Sequence, residues 1–253
     1  MPLRTQPGAA PVSGGWTPIP LPLKGLAGVA LAVLAINAAV GVGAAIDAWL
    51  RHEEWSTLAA VERTHDRDQR SALVAREGFF GLLHVGAFLL GAATFLPWFY
   101  RAVSNAKRTR HGRSIDGPGW AIAGFFVPVL HFFKPAVLMT ELASVSRLMG
   151  ASADGSRPTR PTAGAVRLWW ACWLGAQVLS VVALASSVGV GMGAAMGARD
   201  QPLARLEADS ELFAGIYYVA MLFAAATLAR LVVPITALQE SARRAADAGP
   251  TPA

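Results

Sequence analysis

Long apolar runs separated by short polar segments repeat along this chain. Four runs are continuous, at residues 25–46, 78–99, 168–197 and 212–230. A helix of about 20 apolar residues matches the roughly 30 Å hydrocarbon core of a bilayer. The pattern therefore predicts an all-α, polytopic membrane helix bundle with four transmembrane helices. A fifth apolar run, at 120–142, is interrupted by Pro128 and Pro135.

That fifth run resists crossing. Residues 120–133 make a helix of only about 21 Å at 1.5 Å per residue, which is too short. Pro128 interrupts it, and Lys134 with Pro135 ends it. Beyond Pro135, apolar residues fall at Leu138, Leu142, Val145 and Met149, while Glu141, Ser144 and Arg147 lie off that stripe. This is an amphipathic helix with proline in its first turn. Residues 120–149 read as a Pro-broken re-entrant or interfacial helix pair. Four spans then place both termini on one side. The alternative is five spans, with the C-terminus opposite.

Loop charge orients the spans. The segments 101–119 and 143–167 are short and rich in Arg, whereas 47–77 and 199–211 carry most of the acids. Basic loops stay cytoplasmic, so both termini are expected inside and the acidic segments outside. The domain reading is a disordered cytoplasmic tail at 1–24, a single membrane domain at 25–246, and a C-terminal tail at 247–253. The last span runs from Glu211 to Arg230. Its helix is expected to continue through 231–246 along the membrane surface, kinked at Pro234, with Arg243 and Arg244 toward anionic headgroups.

Composition sharpens this picture. Charged residues make up 15% of the chain and hydrophobic residues 54%, against about 25% charged in soluble domains. The net charge of +6 sits in loops beside the spans. It points to anionic lipid on the cytoplasmic side rather than to nucleic acid, for which no basic helix with interleaved aromatics stands outside the membrane. The single Cys172 excludes an intrachain disulfide or a cysteine metal cluster and reads as a small buried hydrophobe.

The segment FLPWFYRAVSNAKRTRHGRSIDGPGWAIAGFFVPVLHFFKPAVLMTELASVSR, residues 95–147, carries a family pattern. Its marks are Trp98, Arg101 and Asn105 at helical spacing; Pro118 and Trp120; Pro128; Lys134 before Pro135; and Glu141. The cluster Trp169, Trp170, Trp173 and the ending ITALQESARR fit as well. Over roughly residues 75–245 the chain resembles the multi-pass membrane proteins of domain of unknown function 4328, found in high-GC Gram-positive bacteria. It departs from that pattern at His131, where Asn is expected, and at Lys134, where Arg is usual. The resemblance implies a bacterial inner-membrane protein and supplies no activity.

Three groups of residues stand out as candidates. Trp98, Arg101 and Asn105 share one helix face. They read as an interfacial anchor, with Arg101 also placed to pair with Glu141. Asn37, His84 and Gln177 are the polar residues deep in spans, and polar groups in hydrocarbon seek partners. They are expected to meet inside the bundle, where interhelical hydrogen bonding or a proton or solute path would use them. Ala185, Gly189 and Gly193 repeat every four residues, a small-residue stripe that lets helices approach closely. His52 and His65 lie among acids without metal-binding spacing. No nucleophile elbow, phosphate loop or cofactor motif is present. The leading expectation is a non-enzymatic scaffold or partner subunit, with a membrane-protein partner or a second copy of itself. A small transporter or channel built on the re-entrant segment is the alternative. A membrane-embedded enzyme would need a nucleophile–base pair or metal cluster that the chain does not display.

Overall fold

The computed structural model describes residues 20–60, 67–151, 161–196 and 200–248. The tail at 1–19, most of the C-terminal tail and His65 lie outside them. The described residues form α1 (Lys24–Ala60), α2 (Arg67–Arg108), α3 (Trp120–Phe126), α4 (Lys134–Ala151), α5 (Ala163–Ala195) and α6 (Asp200–Asp247). Short 3-10 turns lie at Arg110–Gly112 and Leu130–Phe132. Four helices, α1, α2, α5 and α6, are long and apolar enough to cross a membrane.

These helices outrun their apolar cores. They hold 37, 42, 33 and 48 residues, or about 50–72 Å at 1.5 Å per residue, well over the roughly 30 Å of hydrocarbon. The acidic segment 47–77, expected as an external helical hairpin, is largely helix: α1 continues to Ala60 and α2 begins at Arg67. The segment 199–211, read as a loop, is corrected, because α6 begins at Asp200. Both segments are polar and helix-compatible, and each gains a packed face from its neighbours. Trp55, Ala59 and Leu73 bury against Ala204 and Ala208.

The spans pack in the order α5, α6, α1, α2, with α6 central. The arc stays open: among the described residues α2 and α5 share no packed interface. Pro97 and Pro234 sit inside α2 and α6 without ending either helix.

The fifth apolar run forms no helix long and apolar enough to cross a membrane. Helix α3 has 7 residues, about 10 Å. The chain then turns at Pro128 and Val129, where Val129 adopts φ 68°, a costly value for a β-branched residue. Helix α4 begins at Lys134 with Pro135 in its first turn. Its stripe of Leu138, Leu142, Val145 and Met149 is buried. That stripe joins the main core with Trp98, Phe99, Trp169 and Ile235 rather than facing lipid. The stretch 231–246 continues α6 as a helix, as expected. Leu231, Val232, Ile235 and Leu238 are at most 2% exposed, because α4 covers that face of α6. Gly150 of α4 lies so near Leu238 that a Cβ there would run into its side chain.

Candidate functional site

The basic end is tied by a polar clasp. Asn105, fully buried on α2, donates from Nδ2 to the Leu21 carbonyl at 2.9 Å and to Gln239 Oε1 at 3.1 Å. Its Oδ1 accepts the Leu21 N–H at 2.8 Å. Gln239 Nε2 donates to the Ala102 carbonyl at 3.1 Å and to Ser146 Oγ at 3.0 Å. Glu240 Oε1 accepts the N–H groups of Leu23 and Lys24 at 2.5 and 3.0 Å. A carboxylate thus satisfies orphan donors at the start of α1 and suits the positive end of its dipole. Burial alone would raise the Glu240 carboxyl. Bonds from Leu23, Arg243 and Lys24 outweigh it and hold the group below its ordinary range. The clasp also places the start of α1 beside the end of α6, so both ends of the membrane domain lie on one face.

The expected anchor at this end is corrected in two ways. Trp98 is fully buried and donates from Nε1 to Thr236 Oγ1 at 3.0 Å, so Trp98 and Asn105 face the protein interior. Arg101 donates to the Pro22 carbonyl at 3.4 Å. It does not pair with Glu141, whose Oε2 is buried without a hydrogen-bond partner among the described residues. The physical reason is that α4 packs against this face of α2 and displaces lipid from it.

The turn between α3 and α4 is held by other members of the pattern. Lys134 pairs with Asp116, and its Nζ lies 5.3 Å from the centroid of the Trp120 ring, a cation–π arrangement. Trp170 Nε1 donates to the Phe132 carbonyl at 2.7 Å. His131, half-buried, stands edge-on to Trp173 with ring centroids 6.2 Å apart. Pro135 is buried, whereas Pro128 is exposed at the bend.

A second polar cluster holds the acidic end. Arg51, 1% exposed, bonds both oxygens of Glu211 at 2.6 and 2.7 Å and pairs with Asp47. Arg76 reaches the same Asp47 at 2.7 Å and Glu54 at 2.9 Å. His52 Nδ1 lies 2.7 Å from the Ala208 carbonyl. Together these groups tie α1, α2 and α6. Nearby, burial and then the charges of Glu77 and Glu211, only partly offset by Arg70, push the Glu207 carboxyl up to about 7. No group of three metal-ligating side chains occurs among the described residues.

Between the two clusters the open arc leaves a crevice of about 330 Å³. Asn37 of α1, His84 and Phe95 of α2, Phe125 of α3, Trp173 of α5 and Tyr218 of α6 contribute to its wall. None of the described residues lining it carries a formal charge. Asn37 and His84 both reach it, but they do not bond each other. Asn37 Nδ2 donates to the Val33 carbonyl at 3.0 Å. His84 Nε2 lies 2.8 Å from the Tyr217 hydroxyl. Gln177 is half-buried on α5 and is not part of the wall, so the expected meeting of all three is corrected to a pair facing one crevice. A more polar cleft of about 490 Å³ lies between α2 and α5 toward the acidic end and shares Tyr218.

The small-residue stripe is placed differently from expectation. Ala185 is exposed, and Gly193 is half-buried. A Cβ on Gly189 would make only ordinary contact with Leu206, at 3.6 Å. Helix α5 meets α6 through a neighbouring face, where the Ser187 and Ser210 hydroxyls lie 3.0 Å apart. Small residues permit close approach but do not enforce it.

Sequence reasoning missed Gln239, Glu240 and Ser146 in the clasp, and Arg51, Asp47 and Glu211 in the outer cluster. Two signals pointed toward them: the QE pair within ITALQESARR, and the i, i+4 spacing of Asp47 and Arg51.

No curated protein and no solved structure matches the chain. The model of one family does, described as a domain of unknown function, over residues 61–237, which hold the spans α2, α5 and most of α6 together with the α3–α4 turn. The chain therefore belongs to the DUF4328 family of uncharacterised multi-pass membrane proteins.

Proposed function

We propose that the protein is a non-enzymatic partner subunit of the bacterial cell membrane, acting through helix packing and contacts at its cytoplasmic face. The observation that carries this reading is the character of the crevice. It reaches Asn37 and His84 at membrane depth, yet its described wall is apolar and uncharged. A path for polar or ionic solutes needs a polar, water-accessible lining. At both ends the buried polar side chains are largely spent on tying helices together. The alternative, a transporter using the α3–α4 segment, would have to pass the bulky apolar Phe125, Phe126 and Trp173 of the crevice wall.

In this reading the basic end faces the cytoplasm. Its exposed Arg108, Arg110, Arg113, Arg147 and Arg244 form a rim suited to anionic lipid headgroups or to an acidic surface of a partner. The test is reconstitution into proteoliposomes. Flux of protons, sodium and small organic solutes should match protein-free vesicles. Stability of the protein should rise with phosphatidylglycerol content, and this rise should shrink when the rim arginines are changed to Gln. Specific solute flux abolished by His84→Phe would overturn the reading in favour of a transporter.

A further inference from the structure

Beyond that role, we infer that the polar cleft between α2 and α5 at the acidic end is a binding site for a primary ammonium group on a short alkyl stem, with the Glu77 carboxylate as counterion and the Tyr218 hydroxyl as a hydrogen-bond acceptor. The cleft holds about 490 Å³. Glu77 of α2 lines it, is exposed, and has no ion-pair or hydrogen-bond partner among the described residues. Two arginines nearby are committed elsewhere: Arg51 to Glu211 and Asp47, and Arg76 to Asp47 and Glu54.

A second observation is independent of that carboxylate. Tyr218 is 8% exposed, and its hydroxyl has no hydrogen-bond partner among the described residues, whereas the neighbouring Tyr217 hydroxyl bonds His84. Unlike Nδ1 of His84, the Tyr218 hydroxyl is not sealed from solvent, so a ligand in the cleft can touch it. The charges of Arg51, Glu211, Glu77 and Asp47 act on it, which places it toward this cleft rather than toward the uncharged crevice that Tyr218 also lines. Ser187 and Ser210 add hydroxyls to the wall, 3.0 Å apart. Each can still accept a hydrogen bond, because a hydroxyl oxygen has two lone pairs.

Charge selects a cation. In this cluster Arg51, Arg70 and Arg76 stand against Asp47, Glu54, Glu77, Glu207 and Glu211, three positive groups against five negative when all are ionised. The Glu207 carboxyl, held up by burial and then by Glu77 and Glu211, senses the same excess. A cation beside Glu77 relieves it. The donor set then selects among cations. Calcium takes about 6–8 oxygen ligands, carboxylates among them, and no group of three metal-ligating side chains occurs among the described residues. An ammonium group brings three N–H donors and no acceptor, which suits one carboxylate flanked by hydroxyls. Val74, Leu82 and Leu184 are exposed on the same wall and match a hydrocarbon stem. A bulk lipid chain satisfies neither Glu77 nor Tyr218. The ammonium group can come from a free amine or from an aminolipid headgroup entering between α2 and α5.

The probe is n-hexylamine, titrated calorimetrically into the full-length protein in phosphatidylcholine nanodiscs at pH 7, with empty nanodiscs as the blank for partition. One saturable site is expected. Glu77→Gln keeps the side-chain shape and removes the charge; it should weaken binding at least tenfold. Tyr218→Phe should weaken it at least threefold. Glu53→Gln, an equal charge change at an exposed position of the same end, should leave binding within twofold. n-Hexanol lacks the charge and hexyltrimethylammonium lacks the N–H donors, so each should bind at least tenfold more weakly than n-hexylamine. Because Tyr218 also packs against His84, Gly81→Leu serves as a further variant. A Cβ on Gly81 would meet nothing within 4 Å, so the protein stays folded while the added side chain fills the cleft, and binding should be lost. Phosphatidylethanolamine doped into the nanodiscs separates the sources. Competition with n-hexylamine assigns the site to a lipid headgroup, unchanged affinity assigns it to a free amine, and both outcomes support the proposal. Four results would overturn it. One is the absence of a saturable site in the wild-type protein. Another is wild-type affinity in Glu77→Gln or in Tyr218→Phe. The third is wild-type affinity in a folded Gly81→Leu protein. The fourth is equal affinity for hexyltrimethylammonium, which would make the cleft a patch of diffuse negative potential. Solute flux in proteoliposomes, the test of the subunit reading, is read separately and does not depend on this result.

Discussion

Asn105 offers the sharpest test of the clasp. Asn105→Ala deletes three hydrogen bonds: two to the Leu21 backbone and one to Gln239. Leu21 is 37% exposed, so water replaces the lost partners there, and each bond costs about 0.5–1.5 kcal/mol net. Gln239 is 1% exposed. Its Oε1 would be left without a partner in the interior, at about 1–3 kcal/mol. The expected total is about 2–6 kcal/mol. Gln239→Leu alone removes the amide that also reaches Ala102 and Ser146, and should cost about 1–3 kcal/mol. The double variant removes donor and acceptor together, so its cost should fall below the sum by about 0.5–3 kcal/mol. Reversible unfolding in mixed micelles measures these differences. Hydrogen exchange adds a local readout: the amides of Leu21 and Leu23 should lose protection first in Asn105→Ala. Strict additivity, with unchanged exchange at Leu21, would refute the idea that Asn105 couples the N-terminal segment to α6.

Four other outcomes follow from the same geometry. The depressed Glu240 carboxyl adds stability that is complete above the ordinary Glu pKa of about 4.3 and is lost as pH falls through the lower folded value. Glu240→Gln should therefore lower stability at pH 7 and flatten the acid limb, as followed by exchange of the Leu23 and Lys24 amides. Glu207, raised to about 7, acts with the opposite sign: its stabilisation is complete below about 4.3 and is lost as pH rises toward 7. Glu207→Gln should raise the thermal midpoint at pH 8 and leave it unchanged near pH 4; the same gain at both pH values would refute this. Glu211→Ala strands the buried Arg51 and should cost about 3–5 kcal/mol, whereas a loss under 1 kcal/mol would show that Asp47 alone suffices. Single cysteines at Ser114 and Ser156 in a Cys172→Ser background should both resist impermeant thiol reagents in intact cells, and Asp209→Cys should react; external labelling of Ser156→Cys would restore a fifth span.

Much of the architecture was legible in the chain. Span number and helical class follow from run length against bilayer thickness, a comparison that needs no tertiary information. The break of residues 120–142 into a short helix, a turn and a second helix was also legible, because proline acts locally. The apolar stripe of α4 was legible as a face, and the family pattern around Trp98, Pro128, Lys134 and Glu141 located the region where α2, α3 and α4 come together.

What covers each face was decided only by the fold. Periodicity shows that Leu138, Leu142 and Met149 share a side, but lipid and protein are both apolar, so hydrophobicity cannot say which one meets it. The same ambiguity turned Trp98 and Asn105 from an expected membrane anchor into interior residues. Polar side chains posed a different problem. Asn105 and Gln239 lie 134 residues apart, and Arg51 and Glu211 lie 160 apart. Hydrogen bonds need separations of about 3 Å, a condition set by helix order and register rather than by local sequence. The crevice at His84 belongs to the same class. It exists because the arc α5, α6, α1, α2 stays open, and openness is a relation among helices that no one of them encodes.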